Sequence, residues 1–293
     1  MATQRTKHRP PFIAPDGHPP HVNGGPAYGA LAVRMAAARA EEGPRPTADG
    51  TRLRGSMAGD CTRKVAFQAL GVAPTIDIGT ETLVTFAIGQ SYHDEIQASL
   101  ADTYGAQLEV MCSYKEQGLD MSGHADAVYE RNGGVYAVEI KSMKQYAWDM
   151  ACKGNPYDHY GPGPKREHII QAGIYALAPQ IRAGYLHMIY VSKDTGNVAE
   201  WVLSVDEPLV HWGEPTTVKL EVAAELDRLS RVLVDLDAGL MSARDVPGFG
   251  VVQGAPPLAG TKDHPWNCRY CGWRDLCAAM PAGKFNLDEG AAR

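Results

Sequence analysis

The chain has 293 residues, 44% of them hydrophobic and 21% charged, a balance that excludes a disordered chain and allows one sizeable core with additions. No apolar run reaches the roughly 18 residues that a membrane span needs. The N-terminus is basic and Pro-rich with no apolar signal region, so a cytoplasmic protein with no membrane partner is expected. The net charge of −6 excludes a surface coated in cations for duplex DNA, but it permits a local basic groove beside carboxylates that hold metal ions.

Residues 1–50 read as a flexible arm followed by a helix. The first 25 are rich in Pro, Gly and His, and the Ala-rich stretch 27–42 is helical until Gly43 and Pro44 end it. Residues 82–104 form a helix in which Leu83, Phe86, Ala87, Gln90, His93, Gln97 and Leu100 make one inward stripe. Strands follow at 107–115, 121–130 and 134–142, the last two joined at Arg131-Asn132-Gly133-Gly134, a hairpin signal. Residues 143–164 read as a loop. Residues 165–178 are a helix stopped by Pro179, and strands are expected at 184–192 and 198–205. The order helix, three strands, helix, strand predicts an α/β protein with helices packed on a sheet. Residues 216–238 form an amphipathic helix with Leu220, Ala223, Leu226, Leu229 and Leu233 along one side, and 246–265 read as loop.

The chemistry sits on the predicted hairpin. Glu139 and Lys141 are two apart on a strand and share a face, while Val138 and Ile140 point to the other. Asp126 on the neighbouring strand reaches the same spot. This predicts a surface cleft wall on which two carboxylates and a lysine converge. Carboxylate oxygens suit Mg²⁺ or Mn²⁺, which activates water for attack on a phosphodiester. Lys141 would orient that water or stabilise the developing charge. The Ile140 carbonyl, between the two side chains, is a further metal ligand candidate, and His93 on the inward stripe is another. Gln171 and Tyr175, four apart, share a face of the next helix.

Cys268, Cys271 and Cys277 form C-x2-C-x5-C, and a four-coordinate centre needs one more donor. Cys61, which opens Cys61-Thr62-Arg63-Lys64, is the best fourth ligand; His264 is the alternative in a zinc site. Cys112 and Cys152 carry no motif and read as buried or incidental thiols.

Taken together, these residues resemble the RecB-like branch of the PD-(D/E)XK nucleases. That branch carries a helical His, a G-x-x-D strand, an E-x-K strand and a Q-x-x-x-Y helix, matched here by His93, Gly123 to Asp126, Glu139 to Lys141, and Gln171 to Tyr175. Ala125 stands where the superfamily's name has proline. The cysteines resemble the iron–sulfur nucleases of that branch, among them the CRISPR-associated exonucleases and their phage relatives, with Thr62 in place of the usual proline.

The resemblance implies a restriction-endonuclease-like αβββαβ core over 82–205 and a helical iron–sulfur region made of 51–81 and 206–293. It implies a [4Fe–4S] cluster on Cys61, Cys268, Cys271 and Cys277, with zinc at the same residues as the rival. It implies a catalytic set of Asp126, Glu139, Lys141, Gln171 and Tyr175, with His93, Asp126, Glu139 and Ile140 holding Mg²⁺ or Mn²⁺. The activity implied is a DNA exonuclease acting on single strands or duplex ends in recombination, repair or CRISPR adaptation. The alternatives are a structure-specific endonuclease and a silent DNA-binding recombination partner. No P-loop is present, so a helicase partner would be a separate protein.

Basic Arg63, Lys64, Lys144, Lys165, Arg166, Arg269 and Arg274 interleave with Tyr146, Trp148, Tyr157, Tyr160, Trp266, Tyr270 and Trp273, a mixture suited to single strands. Trp266 and Trp273 are expected to pack around the cluster.

Overall fold

The computed structural model describes residues 52–75, 79–115, 119–154, 162–209, 215–242 and 271–279, with isolated positions in 30–37, 245–251, 268 and 283–284. The arm expected over 1–25 lies outside the described residues. Of the helix expected over 27–42, the described Ala30, Val33, Arg34 and Ala37 are helical.

Strand β1 (Leu53–Arg54) leads through a single turn into helix α1 (Thr62–Ala69) and the long helix α2 (Thr80–Tyr104). Three strands follow: β2 (Gln107–Tyr114), β3 (Met121–Arg131) and β4 (Gly134–Met143). Helices α3 (Gln145–Lys153) and α4 (Arg166–Leu177) precede β5 (Tyr185–Ser192) and β6 (Val198–Ser204). Helix α5 (Val218–Asp237) and the short α6 (Arg274–Ala279) complete the helices labelled here.

The architecture is α/β, a mixed six-stranded sheet flanked by helices. β4 and β5 are parallel, which requires the crossover that α3 and α4 supply; β2–β3, β3–β4 and β5–β6 are antiparallel. Gly105, at φ 64, ends α2 in the left-handed conformation. Asn132 and Gly133, both at positive φ, make the tight β3–β4 turn. Among the described residues no helix is long and apolar enough to cross a membrane.

Helices cover both faces of the sheet. One core layer joins Leu186, Met188 and Tyr190 of the sheet to Ile170 and Ile174 of α4, Leu229 and Val232 of α5, and Val65 and Phe67 of α1. A smaller layer joins Val138, Ile140 and Ile189 to Ile96 and Leu100 of α2. At one end of that face Tyr104, Tyr129, Tyr136 and Tyr185 stack with successive ring centroids 4.9 Å apart, the spacing of neighbouring strands. The Tyr129 hydroxyl donates to His187 Nδ1 at 3.0 Å, and His187 Nε2 donates to Glu200 at 2.8 Å, so the buried phenol is satisfied.

Three sequence expectations change here. The stretch 143–164 is not all loop, since α3 occupies its first half; its Ala, Trp and Met content outweighs the Gly and Pro that lie further on. Phe86 is 50% exposed, because α2 turns Leu83, Gly89, Gln97 and Leu100 inward instead. The inward stripe of α5 is Val218, Val222, Glu225, Leu229, Val232, Leu233 and Leu236, which leaves Leu220 exposed. Glu225 can sit inside because Gly59 N–H and the Arg228 guanidinium bond its carboxylate.

The β3–β4 ladder does not run the full length of the strands. It holds from Arg131↔Gly134 to Ala127↔Val138 and then stops. Farther along the same edge, β1 pairs with Met121 and Ser122 of β3. Residues 123–126 therefore border a split in the sheet. The Tyr175 ring from α4 fills part of it, touching the backbones of Gly55 and Gly123 so closely that a Cβ on Gly123 would stand 2.6 Å from Cε1. Gly123→Ala should force the ring away and destabilise the fold by about 1–3 kcal/mol. An unchanged urea midpoint would contradict this packing.

Candidate active site

The split decides where the functional side chains go. With no strand opposite, Ile140 N–H is bonded by the Asp126 side chain, Oδ2 accepting at 2.6 Å. This turns the Asp126 carboxylate into the gap. Glu139 enters the same region from β4 and is 2% exposed. Its Oε1 pairs with Lys141 Nζ at 2.5 Å, while its buried Oε2 has no hydrogen-bond partner. Lys141 Nζ also donates to Gln171 Oε1 at 3.0 Å, and Gln171 Nε2 lies 3.4 Å from the Tyr175 hydroxyl. His93 comes from α2, on the opposite face, and places Nδ1 3.8 Å from Asp126 Oδ1.

Glu139 and Lys141 do share a face, as their spacing predicts. That face is not an open cleft wall, however, because α4 covers it. The residues from the two helical layers meet only through the split.

Burial governs the electrostatics. It pushes the Glu139 carboxyl up to about 7, against the pull of Lys141. It pushes Asp126 up to about 6, with the Ile140 N–H and Lys141 acting the other way. Burial also lowers His93, opposed by Glu139 and by a hydrogen bond to the Ile140 backbone. Lys141 is held above its ordinary value, since the carboxylates of Glu139 and Asp126 outweigh its own desolvation. The arrangement sets two carboxyls against one ammonium, with one buried oxygen left without a donor. Carboxylate oxygens in such a set are of the type that could hold a divalent cation. Among the described residues, no three His, Cys, Asp or Glu side chains form a ready-made cation cage.

Helix α4 crosses the strands so that one side reads them in turn. His168 Nδ1 bonds the Tyr190 hydroxyl at 2.6 Å, Gln171 meets Lys141, and Tyr175 reaches Gly123. Two further polar groups flank Asp126 and carry no sequence motif. Gln97 of α2 donates to the Asp126 carbonyl at 2.8 Å and to Glu109 Oε1 at 2.6 Å. Glu109 itself has a positive φ of 47. Gln97 on the inward stripe was the available signal; Glu109 left none.

The cysteine region lies apart from this split. The tail docks on the chain near α1: Thr75 N–H donates to Gly272 O at 2.8 Å, and Trp273 Nε1 to Val72 O at 2.8 Å. Burial raises the Cys61 and Cys271 thiols, and the charge of Cys277 raises both further. Cys271 N–H bonds Cys268 O, which places Cys268 in the same turn. Cys112 is buried and pushed up to about 12, bonding Gly123 O, while Cys152 is half-buried.

The basic residues divide. Arg63 is 1% exposed and donates to Ser242 O, Cys277 O and Cys277 Sγ, so it supports the cysteine region and offers nothing to a substrate. Arg166 pairs with Glu221, Arg274 with Asp275 and Lys64 with Asp60. Trp148 donates to Tyr190 O. Lys144 and Tyr146 are exposed where β4 passes into α3, and Tyr146 is 70% exposed. Tyr157, Tyr160, His264, Trp266, Arg269 and Tyr270 lie outside the described residues.

No family model matches the sequence, and no curated protein matches it. Nineteen chains of solved structures do match. One, described as "Crystal structure of SSO0001", is 17% identical, covers 88% of this chain and 99% of its own, and superposes with a TM-score of 0.50. At that identity the likeness is one of fold.

The raised carboxyls carry a pH dependence. Glu139 and Asp126 bind protons more tightly folded than unfolded, so their contribution to stability is full below their ordinary values near 4 and is lost as pH rises through about 6 and about 7. Metal-free protein should therefore lose about 1–3 kcal/mol more than Glu139→Gln between about pH 4.5 and 7.5, read from urea midpoints. Equal losses in the two proteins would contradict the buried-carboxyl account.

Proposed function

We propose that this chain is a metal-dependent nuclease of the RecB-like PD-(D/E)XK type, hydrolysing phosphodiester bonds in DNA, with a [4Fe–4S] cluster on Cys61, Cys268, Cys271 and Cys277. The reading of the core as restriction-endonuclease-like belongs to the same proposal; α2, β2, β3, β4, α4 and β5 occur in that order, with α3 inserted between β4 and α4. The observation that carries it is the buried, unpartnered Glu139 Oε2, one residue before the Ile140 N–H that the Asp126 carboxylate bonds across the strand split. A buried carboxylate oxygen without a donor is costly unless a ligand completes it.

Asp126, Glu139, the Ile140 carbonyl and His93 would hold Mg²⁺ or Mn²⁺, which lowers the pKa of a bound water and polarises a phosphate. Lys141 is held between Glu139 and Gln171, and its ammonium would stabilise negative charge developing on a phosphoryl group bound there. Gln171 Oε1 accepts a second hydrogen bond from the Lys141 ammonium and so helps to orient it. Tyr175 closes the floor of the split. Lys144 and Tyr146 are the exposed groups nearest in sequence to Lys141, available to meet a phosphate and a base of a single strand or a frayed duplex end.

The cysteine set fits an anionic, cation-centred cluster. Burial holds the Cys61 and Cys271 thiols above their ordinary value, and the buried Arg63 guanidinium faces Cys277 Sγ. Such a cluster would tie α1 to the C-terminal tail, which the two segments' hydrogen bonds already bring together.

Protein purified without air and incubated with end-labelled single-stranded and duplex DNA should cleave with Mg²⁺ or Mn²⁺ and not with EDTA. Lys141→Ala and Glu139→Ala should each lower the rate by about 10²-fold or more while remaining folded. Wild-type rates in either variant would sink the assignment. The same preparation should be brown, and Cys61→Ser should bleach it and lower its melting temperature, whereas Cys112→Ser should keep the colour. Stoichiometric zinc and no iron would defeat the cluster.

A further inference from the structure

The β2–β3 ladder pairs Leu108 with Ala127 and Val110 with Ala125, but the pair between them, Glu109 and Asp126, is missing from it. Glu109 is an L-residue at φ 47, a conformation that costs roughly 1–3 kcal/mol and persists only where its surroundings impose it. Asp126 is also the first residue of β3 beyond the β4 ladder. Asp126 thus has no ladder partner on β2 or on β4, and its carbonyl accepts a bond from a side chain. That side chain is Gln97, which is buried; its Nε2 donates to Asp126 O at 2.8 Å and to Glu109 Oε1 at 2.6 Å. Both partners are pure acceptors, so the orientation of the amide is settled: its nitrogen points here and both of its hydrogens are used.

We infer that Gln97 is a positioning residue that sets where the Asp126 carboxylate stands, acting through the Asp126 carbonyl. This rests on the reading of Asp126 as a ligand of a divalent cation. Gln97 and Glu109 together form a side-chain strut where the Glu109–Asp126 pair is missing from the ladder. The strut holds the strand open at the residue whose carboxylate must face the split, and the strain at Glu109 is what that opening requires. Outer partners of ligands act on metal affinity without touching the metal.

The test separates the strut from mere packing. Gln97→Leu removes both bonds. The double variant Gln97→Glu with Glu109→Gln restores the side-chain pair in reversed sense, yet it leaves the Asp126 carbonyl without a donor. Mn²⁺ alone is titrated into the full-length protein, free Mn²⁺ is followed by electron paramagnetic resonance, and melting temperature and DNA cleavage are measured on the same samples.

Both variants are expected to fold with a lowered melting temperature, and both should weaken Mn²⁺ half-saturation at least about tenfold, with excess Mn²⁺ recovering kcat. Wild-type Mn²⁺ affinity in either folded variant overturns the inference, as does a failure of both variants to fold, which would make Gln97 a folding residue only. A wild type that neither binds Mn²⁺ nor cleaves overturns the nuclease reading along with it. A wild type that does both beside unaffected variants overturns the inference alone.

Discussion

The hydrogen bond from Ile140 N–H to Asp126 Oδ2 is the contact on which the arrangement of the site depends. A main-chain amide in the middle of a sheet ordinarily bonds a neighbouring strand. Here β3 has drawn away after Ala127, and a carboxylate takes the strand's place. Losing that acceptor would leave a buried amide unpaired, at a cost of about 1–3 kcal/mol. The same bond fixes the direction of Asp126, and the gap it spans is the opening through which His93 and Glu139 come together from opposite faces. Tyr175 fits the lower part of that opening because Gly55 and Gly123 have no side chains to exclude it.

Burial and attraction compete in this gap, and the outcome differs by residue. For Glu139, desolvation exceeds the pull of Lys141, so the carboxyl is held near 7. For Lys141, the two carboxylates exceed its desolvation, so the ammonium persists. The pair is therefore fixed in geometry yet undersupplied with positive charge. Replacing Lys141 would remove the one cation on the Glu139 side and leave a second oxygen without a donor, which is why its loss bears on chemistry and on local stability together.

Much of this architecture was legible in the sequence because its signals are local. The Asn-Gly turn acts over a few residues, and α2, α4, α5 and the strands β2 to β6 stand within a residue or two of where they were expected, whereas α3 lies in a stretch expected to be loop. The convergence of Asp126, Glu139 and Lys141 was legible too, from strand parity and the hairpin. Their burial was not. Val-Glu-Ile-Lys reads as a half-exposed strand, and only the packing of α4 on one face and α2 on the other shows otherwise. The apolar run of β5 hinted at it, since a strand with no polar alternation is covered on both sides. Arg63 misled for a similar reason, as a guanidinium beside a cysteine motif looks like a surface cation until the docked tail encloses it. The displaced stripe of α5 depends on a glutamate satisfied by Gly59 and Arg228, a tertiary arrangement that hydrophobic periodicity does not encode.

The central claim is that the β3–β4 split is built to hold a divalent cation between carboxylates whose charge the protein leaves uncompensated. Anomalous diffraction from crystals of this protein soaked in Mn²⁺ tests it most directly. The account predicts a strong manganese peak within coordination distance of Asp126, Glu139 and the Ile140 carbonyl, with Glu139 Oε2 among the ligands. A split that stays empty at saturating Mn²⁺, with Glu139 still paired to Lys141, would contradict it.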